Sequence, residues 1–207
     1  MTSTRSLKYL SYKNMKRRLF IAINLEAPMR KAIENIEKNI ESAFAWEQAE
    51  RIRFTPEENW HITVSFLGTQ DDANLMEIMA AIRKAAEEFS AVDISFTEVA
   101  YVPERDNARM IWLKTSRETS HALGNLRNTL ENLLDQEGVR FGHESRGFSG
   151  HLTLARFSEA MSASDLPPIE RTIKVICAGT SLDLMKSELE RRGASYTTLQ
   201  KFPFSEK

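Results

Sequence analysis

Two short stretches, "NWHITVSFLG" (59–68) and "GHLTLARF" (150–157), each carry a His–apolar–Thr–apolar tetrad inside an otherwise apolar run, with His61 and His151 at their heads. A strand alternates its side chains between faces, so His61 and Thr63 point one way while Ile62 and Val64 point the other. The same holds for His151 and Thr153 against Leu152 and Leu154. Within each strand the imidazole and the hydroxyl stand ~6.6 Å apart, at ~3.3 Å per residue, a spacing suited to gripping one small polar ligand. One such tetrad is explained by a hydrogen-bonded histidine on a sheet. Two alike argue for paired strands, contributed by related lobes in the two halves of the chain, facing a shared cleft.

The chemistry gives that pairing a purpose. Two imidazoles, with ordinary pKa values of about 6.5, can act as acid and base near neutral pH. One takes a proton from the nucleophile while the other protonates the leaving oxygen. Thr63 and Thr153 can donate hydrogen bonds to the non-bridging oxygens of a phosphate. Arg156, three residues after Thr153, adds a planar cationic fork suited to a phosphate oxygen. Phosphoryl transfer depends on such charge placement more than on covalent chemistry. No HExxH-like spacing or carboxylate cluster accompanies either histidine, which disfavours a metallohydrolase; no metal and no cofactor are expected.

The flanking sequence reads as mixed α+β. "RLFIAINL" (18–25) is a continuous apolar run, as expected of a strand covered on both sides. From Pro28, apolar residues Met29, Ile33, Ile36, Ile40 and Phe44 recur at helical spacing. Asp71 and Asp72 are placed to cap a second helix with Leu75, Ile78, Met79, Ile82 and Phe89 inward, and Ser116 a third, with Leu123, Leu126, Leu130 and Leu133 inward and Gly138 at its end. "VDISFTEVAYV" and "RMIWLKT" read as strands joined by the loop "PERDNA", and "RTIKVICAGTSLDLMKSEL" as one long strand before a last strand "YTTLQKFPF". No Gly-rich dinucleotide loop or Walker-type lysine loop is present.

Composition narrows the function classes. The 207 residues carry a net charge of -1, so a nucleic acid would be met by a local patch rather than the whole surface. No apolar run approaches the ~20 residues of a membrane-spanning helix. The single cysteine, Cys177, excludes an internal disulfide and a Cys-rich zinc site, fits a cytoplasmic protein, and reads as a small buried hydrophobe on a strand. Residues 1–14 are basic and lack an apolar core for secretion; they are expected to be a disordered extension before one domain spanning 15–207.

The paired motifs and their flanks resemble the 2H phosphoesterase superfamily, and within it the RNA 2′,3′-cyclic phosphodiesterases, once called 2′-5′ RNA ligases. "RLFIAINL", "ENWHITVSFLG", "MIWLKT", "HLTLAR" and "LMKSELERRGASYTTLQKFPF" carry the resemblance over nearly the whole chain from Met15. It implies a bilobal α+β fold, with two pseudo-symmetric lobes of antiparallel-rich sheets around a central groove and helices outside. It also implies metal-independent hydrolysis of an RNA 2′,3′-cyclic phosphate end, tRNA fragments among the candidates, to a 2′-phosphomonoester, with 2′-5′ ligation as the reverse reaction. On this resemblance His61 is the proton donor, His151 the acceptor that activates water, and Thr63, Thr153 and Arg156 the phosphate binders; separately, a monomer without membrane partners is expected. Family members often place proline before the second histidine. Gly150 stands there in this chain, so the loop "GHESRGFSG" is expected to hold His151 less rigidly.

Two other function classes share these residues: a 2H phosphoesterase for a small cyclic nucleotide, ADP-ribose cyclic phosphate or oligoadenylate, and a non-catalytic RNA-end-binding module. The latter needs positive charge but no acid–base pair. Among the remaining candidates, His121 reads as a helical surface residue and His143 as a loop residue near the second motif. Trp60 and Trp112 read as core. Phe66 is assigned by alternation to the face of His61. Tyr101, Arg105 and Arg109 flank a hairpin that either touches RNA or is merely charged and exposed.

Overall fold

The computed structural model describes residues 15–25, 27–104, 106–190 and 193–206. The expected extension, residues 1–14, lies outside the described residues, as does Arg105. Nine strands and four α-helices alternate along the described chain: β1 (Lys16–Asn24), α1 (Ala27–Ala43), α2 (Trp46–Ala49), β2 (Ile52–Phe54), β3 (His61–Asp71), α3 (Leu75–Glu88), β4 (Val92–Val102), β5 (Ala108–Thr115), α4 (Arg117–Gln136), β6 (His151–Met161), β7 (Thr172–Gly179), β8 (Ser181–Glu190) and β9 (Gly193–Pro203). The strands form two antiparallel sheets, one of order β3-β1-β8-β9 and one of order β2-β6-β5-β4-β7. The fold is therefore α+β, as its patterning predicts. Among the described residues no helix is long and apolar enough to cross a membrane.

A strand repeats its environment every two residues, and the apolar runs follow that rule where one face meets the helices. Leu19, Ile21 and Ile23 of β1 join the main core with Ile33, Ile78, Ile82, Leu126 and Leu130 from the helices. Phe20 and Ala22, on the other face of β1, pack with Met185 and Tyr196 on the face of the sheet that carries His61. Both faces of β1 are covered, which is why its sequence is continuously apolar.

Each motif lies in a pair of strands of the same design. β1 pairs antiparallel with β3, and β5 with β6, with Asn24 opposite His61, Ala22 opposite Thr63, Lys114 opposite His151 and Trp112 opposite Thr153. Immediately after each threonine the register slips by one. Ile21 faces Ser65 and Ile111 faces Ala155, leaving Val64 and Leu154 as the extra residues of two β-bulges. Consequently Val64 and Ser65 are both buried, as are Leu154 and Ala155. Phe66 and Arg156 come to the face that carries the histidines, opposite Phe20 and Met110. Strict alternation runs 61, 63, 65 and would have put Ser65 there; Phe66 reaches that face because of the bulge.

Several sequence expectations are corrected. The lobes are not the two halves of the chain: the sheet holding the first motif takes β8 and β9 from the C-terminal end, while β2 joins the second motif's sheet. The long run 171–189 is two strands. β7 pairs with β4 in one sheet and β8 with β1 in the other, the chain crossing between them after Gly179. The crossing is tight, since a Cβ on Gly179 would lie 2.9 Å from both Ile23 Cγ2 and Ile94 Cδ1. Asp72 does not cap a helix through its side chain; it pairs with Arg17 at 2.6 Å. Ser116 does cap α4, its Oγ accepting from the Thr119 N–H at 3.1 Å.

Gly179→Ala should therefore cost about 1–3 kcal/mol, the usual range for an overpacked core. Thermal unfolding should move down by about 2–4 °C for each kcal/mol in a domain of this size. Adding Ile94→Val, which deletes the Cδ1 atom, should recover part of the loss; an unchanged midpoint in Gly179→Ala would contradict the crossing geometry.

Candidate active site

The two motif strands lie against each other across the interface between the sheets. Their histidines are held by the same device. The Nδ1–H of His61 donates to the Asn59 carbonyl at 2.7 Å, and that of His151 to the Ser149 carbonyl at 2.9 Å. A carbonyl can only accept, so each neutral ring carries its proton on Nδ1 and leaves Nε2 as the free, lone-pair nitrogen. The two acceptors are positioned differently. Asn59 ends a short 3₁₀ turn, Glu57–Asn59, followed by the buried Trp60, whose Nε1–H donates to the Thr55 carbonyl at 2.8 Å.

On the other side the backbone of Gly150 is tied from both directions. Its N–H donates to Ser120 Oγ at 3.1 Å, and its carbonyl accepts from the Thr115 N–H at 2.9 Å and Thr115 Oγ1 at 3.1 Å. A Cβ at residue 150 would lie 2.5 Å from Thr115 Oγ1. Glycine is required by this close approach, and the residue before His151 is held by three hydrogen bonds. The expectation of a looser second histidine is thus corrected.

The rings have unlike surroundings. His61 sits between aromatic neighbours, with Phe20 and Tyr196 centroids each 5.0 Å away, the latter edge-on. His151 stacks on Trp112 with centroids 3.6 Å apart and planes inclined by 16°. Trp112 is therefore part of the groove rather than the core, whereas Trp60 is core as its sequence setting suggests. Burial favours the neutral form of both rings. It pushes His61 down to about 4 from 6.5, with the positive charges of His151 and Arg156 adding to the effect against the opposing Asn59 hydrogen bond. His151 is also lowered, by burial first and Arg156 next, against its bond to Ser149. The exposed Arg156 lies on the same face of β6 as His151, and its charge bears on both rings. Its guanidinium touches the Met110 sulfur at 3.1 Å.

The structure thus brings His61, His151 and Arg156 together and sets Thr63 and Thr153 on the same faces as their histidines. Phe66 stands exposed on the first face, in the place that Arg156 holds on the second. Asn24, opposite His61, is fixed by donating to the fully buried Asp183 at 2.5 Å; Ser181 Oγ also donates to Asp183, at 2.6 Å. Sequence patterning missed this pair, although a lone aspartate inside "SLDLM" was a visible signal. Lys114, opposite His151, is paired with Glu104 and Glu98.

Other candidates lie elsewhere. His143 leans on Glu131 and Asp135 of α4, His121 is exposed on that helix, and Tyr101 donates to the Pro167 carbonyl at 2.9 Å. Arg109 is exposed on β5, and Cys177 is half-buried on β7 beside the core. Among the described residues, no three His, Cys, Asp or Glu side chains gather as metal ligands would.

The chain is similar to several known proteins. Residues 23–112 match the family model described as LigT like Phosphoesterase. An RNA 2′,3′-cyclic phosphodiesterase of Methanothermobacter thermautotrophicus is 25% identical over 193 residues, covering 91% of this chain and 99% of its own. One from Thermus thermophilus is 27% identical over 186 residues, covering 89% of each. The fold is similar to the crystal structure of TT0787 of Thermus thermophilus (TM-score 0.73, 24% identity, 90% and 97% covered). It is also similar to E. coli LigT complexed with 3′-AMP (TM-score 0.68, 24% identity, 92% and 99% covered).

The titration of the two rings is directly measurable. Side-chain ¹H–¹⁵N spectra should show both His61 and His151 neutral at pH 7 with the proton on Nδ1, and His61 protonating only near pH 4. Because its native pKa lies below the unfolded value, His61 favours the native state fully above pH 6.5, and that advantage is lost as pH falls toward 4. Denaturant midpoints should accordingly drop between pH 7 and pH 5. An Nε2–H tautomer, or a His61 pKa near 6.5, would contradict the braced, desolvated site.

Proposed function

We propose, from the premise that this chain is a LigT-like phosphoesterase, that it hydrolyses RNA 2′,3′-cyclic phosphate ends to 2′-phosphomonoesters with His61 and His151 as its acid–base pair. The observation that carries this reading is the duplicated brace: two imidazoles on adjoining motif strands, each with its Nδ1–H on a backbone carbonyl, which leaves Nε2 as the nitrogen free for chemistry. Its curated relatives are named for this activity.

In the proposed reaction His151 Nε2 takes a proton from water, and the resulting hydroxide attacks phosphorus. The 3′ oxygen departs in line and receives a proton from His61 Nε2–H, leaving a 3′ hydroxyl and a 2′-phosphate. The stacked indole of Trp112 favours the cationic form of His151, which suits the ring that gains a proton. His61 must begin protonated, against a free-enzyme pKa of about 4. The substrate supplies the correction: a phosphate anion in the groove opposes the positive neighbours and raises both rings. Thr63, Thr153 and Arg156 hold its non-bridging oxygens. Phe66 and Arg156, occupying equivalent places after the two bulges, make the groove chemically unequal and so orient the ribose.

Ligation to a 2′-5′ linkage is the same path reversed. A small cyclic nucleotide or oligoadenylate would use identical catalytic groups, so a substrate panel separates that reading. A pure RNA-end binder would gain nothing from two braced imidazoles. We further read the chain as a cytoplasmic monomer that needs no metal, the groups named here supplying both proton transfers.

On an oligonucleotide ending in a 2′,3′-cyclic phosphate, His61→Ala and His151→Ala should each lower kcat/KM by about 10²-fold or more while the circular dichroism spectrum is retained. In the unmodified enzyme kcat/KM should trace a bell whose alkaline limb falls below pH 6.5, because both free rings are depressed, and chelation should leave it unchanged. Near-normal turnover in either variant, or zinc-reversible loss on chelation, would overturn the proposal.

A further inference from the structure

Directly beside Arg156 in the groove lies a second arginine. β2 pairs antiparallel with β6, and Arg53 stands opposite Arg156 in that register, flanked by Ile52 opposite Phe157 and Phe54 opposite Ala155. Ile52 and Phe54 pack against the core, so Arg53 projects from the other face, the one that carries Arg156. Both arginines are exposed. Like charges directly opposite each other on one face of an antiparallel pair destabilise it. Here nothing on the protein offsets the repulsion: among the described residues no carboxylate lies within 4.0 Å of either guanidinium. The Met110 thioether that Arg156 touches is a weak acceptor. Some other basic side chains of the two sheets are paired, Arg17 with Asp72, Lys114 with Glu104 and Lys186 with Glu188; what distinguishes Arg53 and Arg156 is that two unpaired guanidiniums stand directly opposite each other.

Two unpaired guanidiniums, on strands ~4.8 Å apart, form a site for anionic oxygens. Position along the sheet distinguishes their tasks. Arg156 follows Thr153 on the motif strand, and its charge reaches both histidines. Arg53 belongs to β2, the edge strand of its sheet, and so lies at the rim.

Resting on the phosphodiesterase reading above, we infer that Arg53 binds the phosphodiester immediately upstream of the cyclic end, beside Arg156 on the scissile phosphate. The preferred substrate class is then an oligonucleotide that leaves the groove over β2, and a cyclic mononucleotide, which lacks the upstream phosphate, is a poorer one.

The test compares two dinucleotides ending in a 2′,3′-cyclic phosphate, identical except that one has a natural internal phosphodiester and the other a neutral methylphosphonate. The unmodified enzyme should favour the charged linkage by about tenfold or more in kcat/KM, the scale of one charge-assisted contact. Arg53→Gln should bring that preference close to unity, and Arg53→Lys should restore part of it. The salt dependence of kcat/KM for the charged dinucleotide should also become shallower in Arg53→Gln, by roughly 0.7 in logarithmic slope. A preference that survives Arg53→Gln, or an equal fall on both dinucleotides, would overturn the second-phosphate site while leaving the phosphodiesterase reading intact. Failure of the unmodified enzyme to hydrolyse either dinucleotide would overturn both.

Discussion

One extra residue after each threonine, Val64 in β3 and Leu154 in β6, determines how the rest of the groove is built. Without those bulges, alternation would send Arg156 toward the core and bring Ala155 to the groove, and would exchange Phe66 with Ser65 in the same way. An unpaired guanidinium in the core would be costly. With the bulges, each motif strand offers three groove-facing positions, histidine, threonine and then Phe66 or Arg156, while two consecutive small or apolar residues stay buried behind them. A bulge also adds local twist and can re-aim side chains near a site. The paired distortions therefore serve both the packing of the core and the composition of the groove.

Upon this frame the two histidines are made alike in tautomer and unlike in surroundings. The carbonyls of Asn59 and Ser149 fix the Nδ1–H form in both rings. An aromatic enclosure of Phe20 and Tyr196 surrounds one ring, and a stacked indole lies against the other. Burial makes both reluctant to ionise in the free protein, and Arg156 adds to the reluctance. In the proposed reaction an entering phosphate would reverse that electrostatic balance and couple protonation to substrate binding. The same logic makes Arg53 informative, because a cross-strand arginine pair with no carboxylate within 4.0 Å among the described residues is what the proposed second-phosphate site rests on.

Much of this was legible in the sequence because hydrophobic period and motif repetition are local signals. The tetrads "HITV" and "HLTL", the continuously apolar β1 and the Ser116 cap all survive comparison with the structure. What escaped depends on tertiary context. Nothing in "VICAGTSLDLM" marks Gly179 as a passage between two sheets, because both flanking strands are apolar and the crossing takes a single residue. The apolar neighbours of Trp112 point to the core, but alternation along β5 puts it on the groove face beside His151. Gly150 in place of a proline suggests looseness, yet its lack of a side chain is what lets Thr115 and Ser120 approach and hold the backbone. Asp72 had the composition of a cap and found Arg17 instead.

In the proposed reaction the two braced histidines act from opposite sides of one phosphorus, which fixes the direction of attack. That direction is tested most directly by letting the enzyme open a defined 2′,3′-cyclic-phosphate oligonucleotide and resolving the two phosphomonoester isomers by phosphorus NMR. His61 as donor and His151 as base predict a single product carrying a 2′-phosphate. A dominant 3′-phosphate, or a mixture of the two, would contradict the assigned direction.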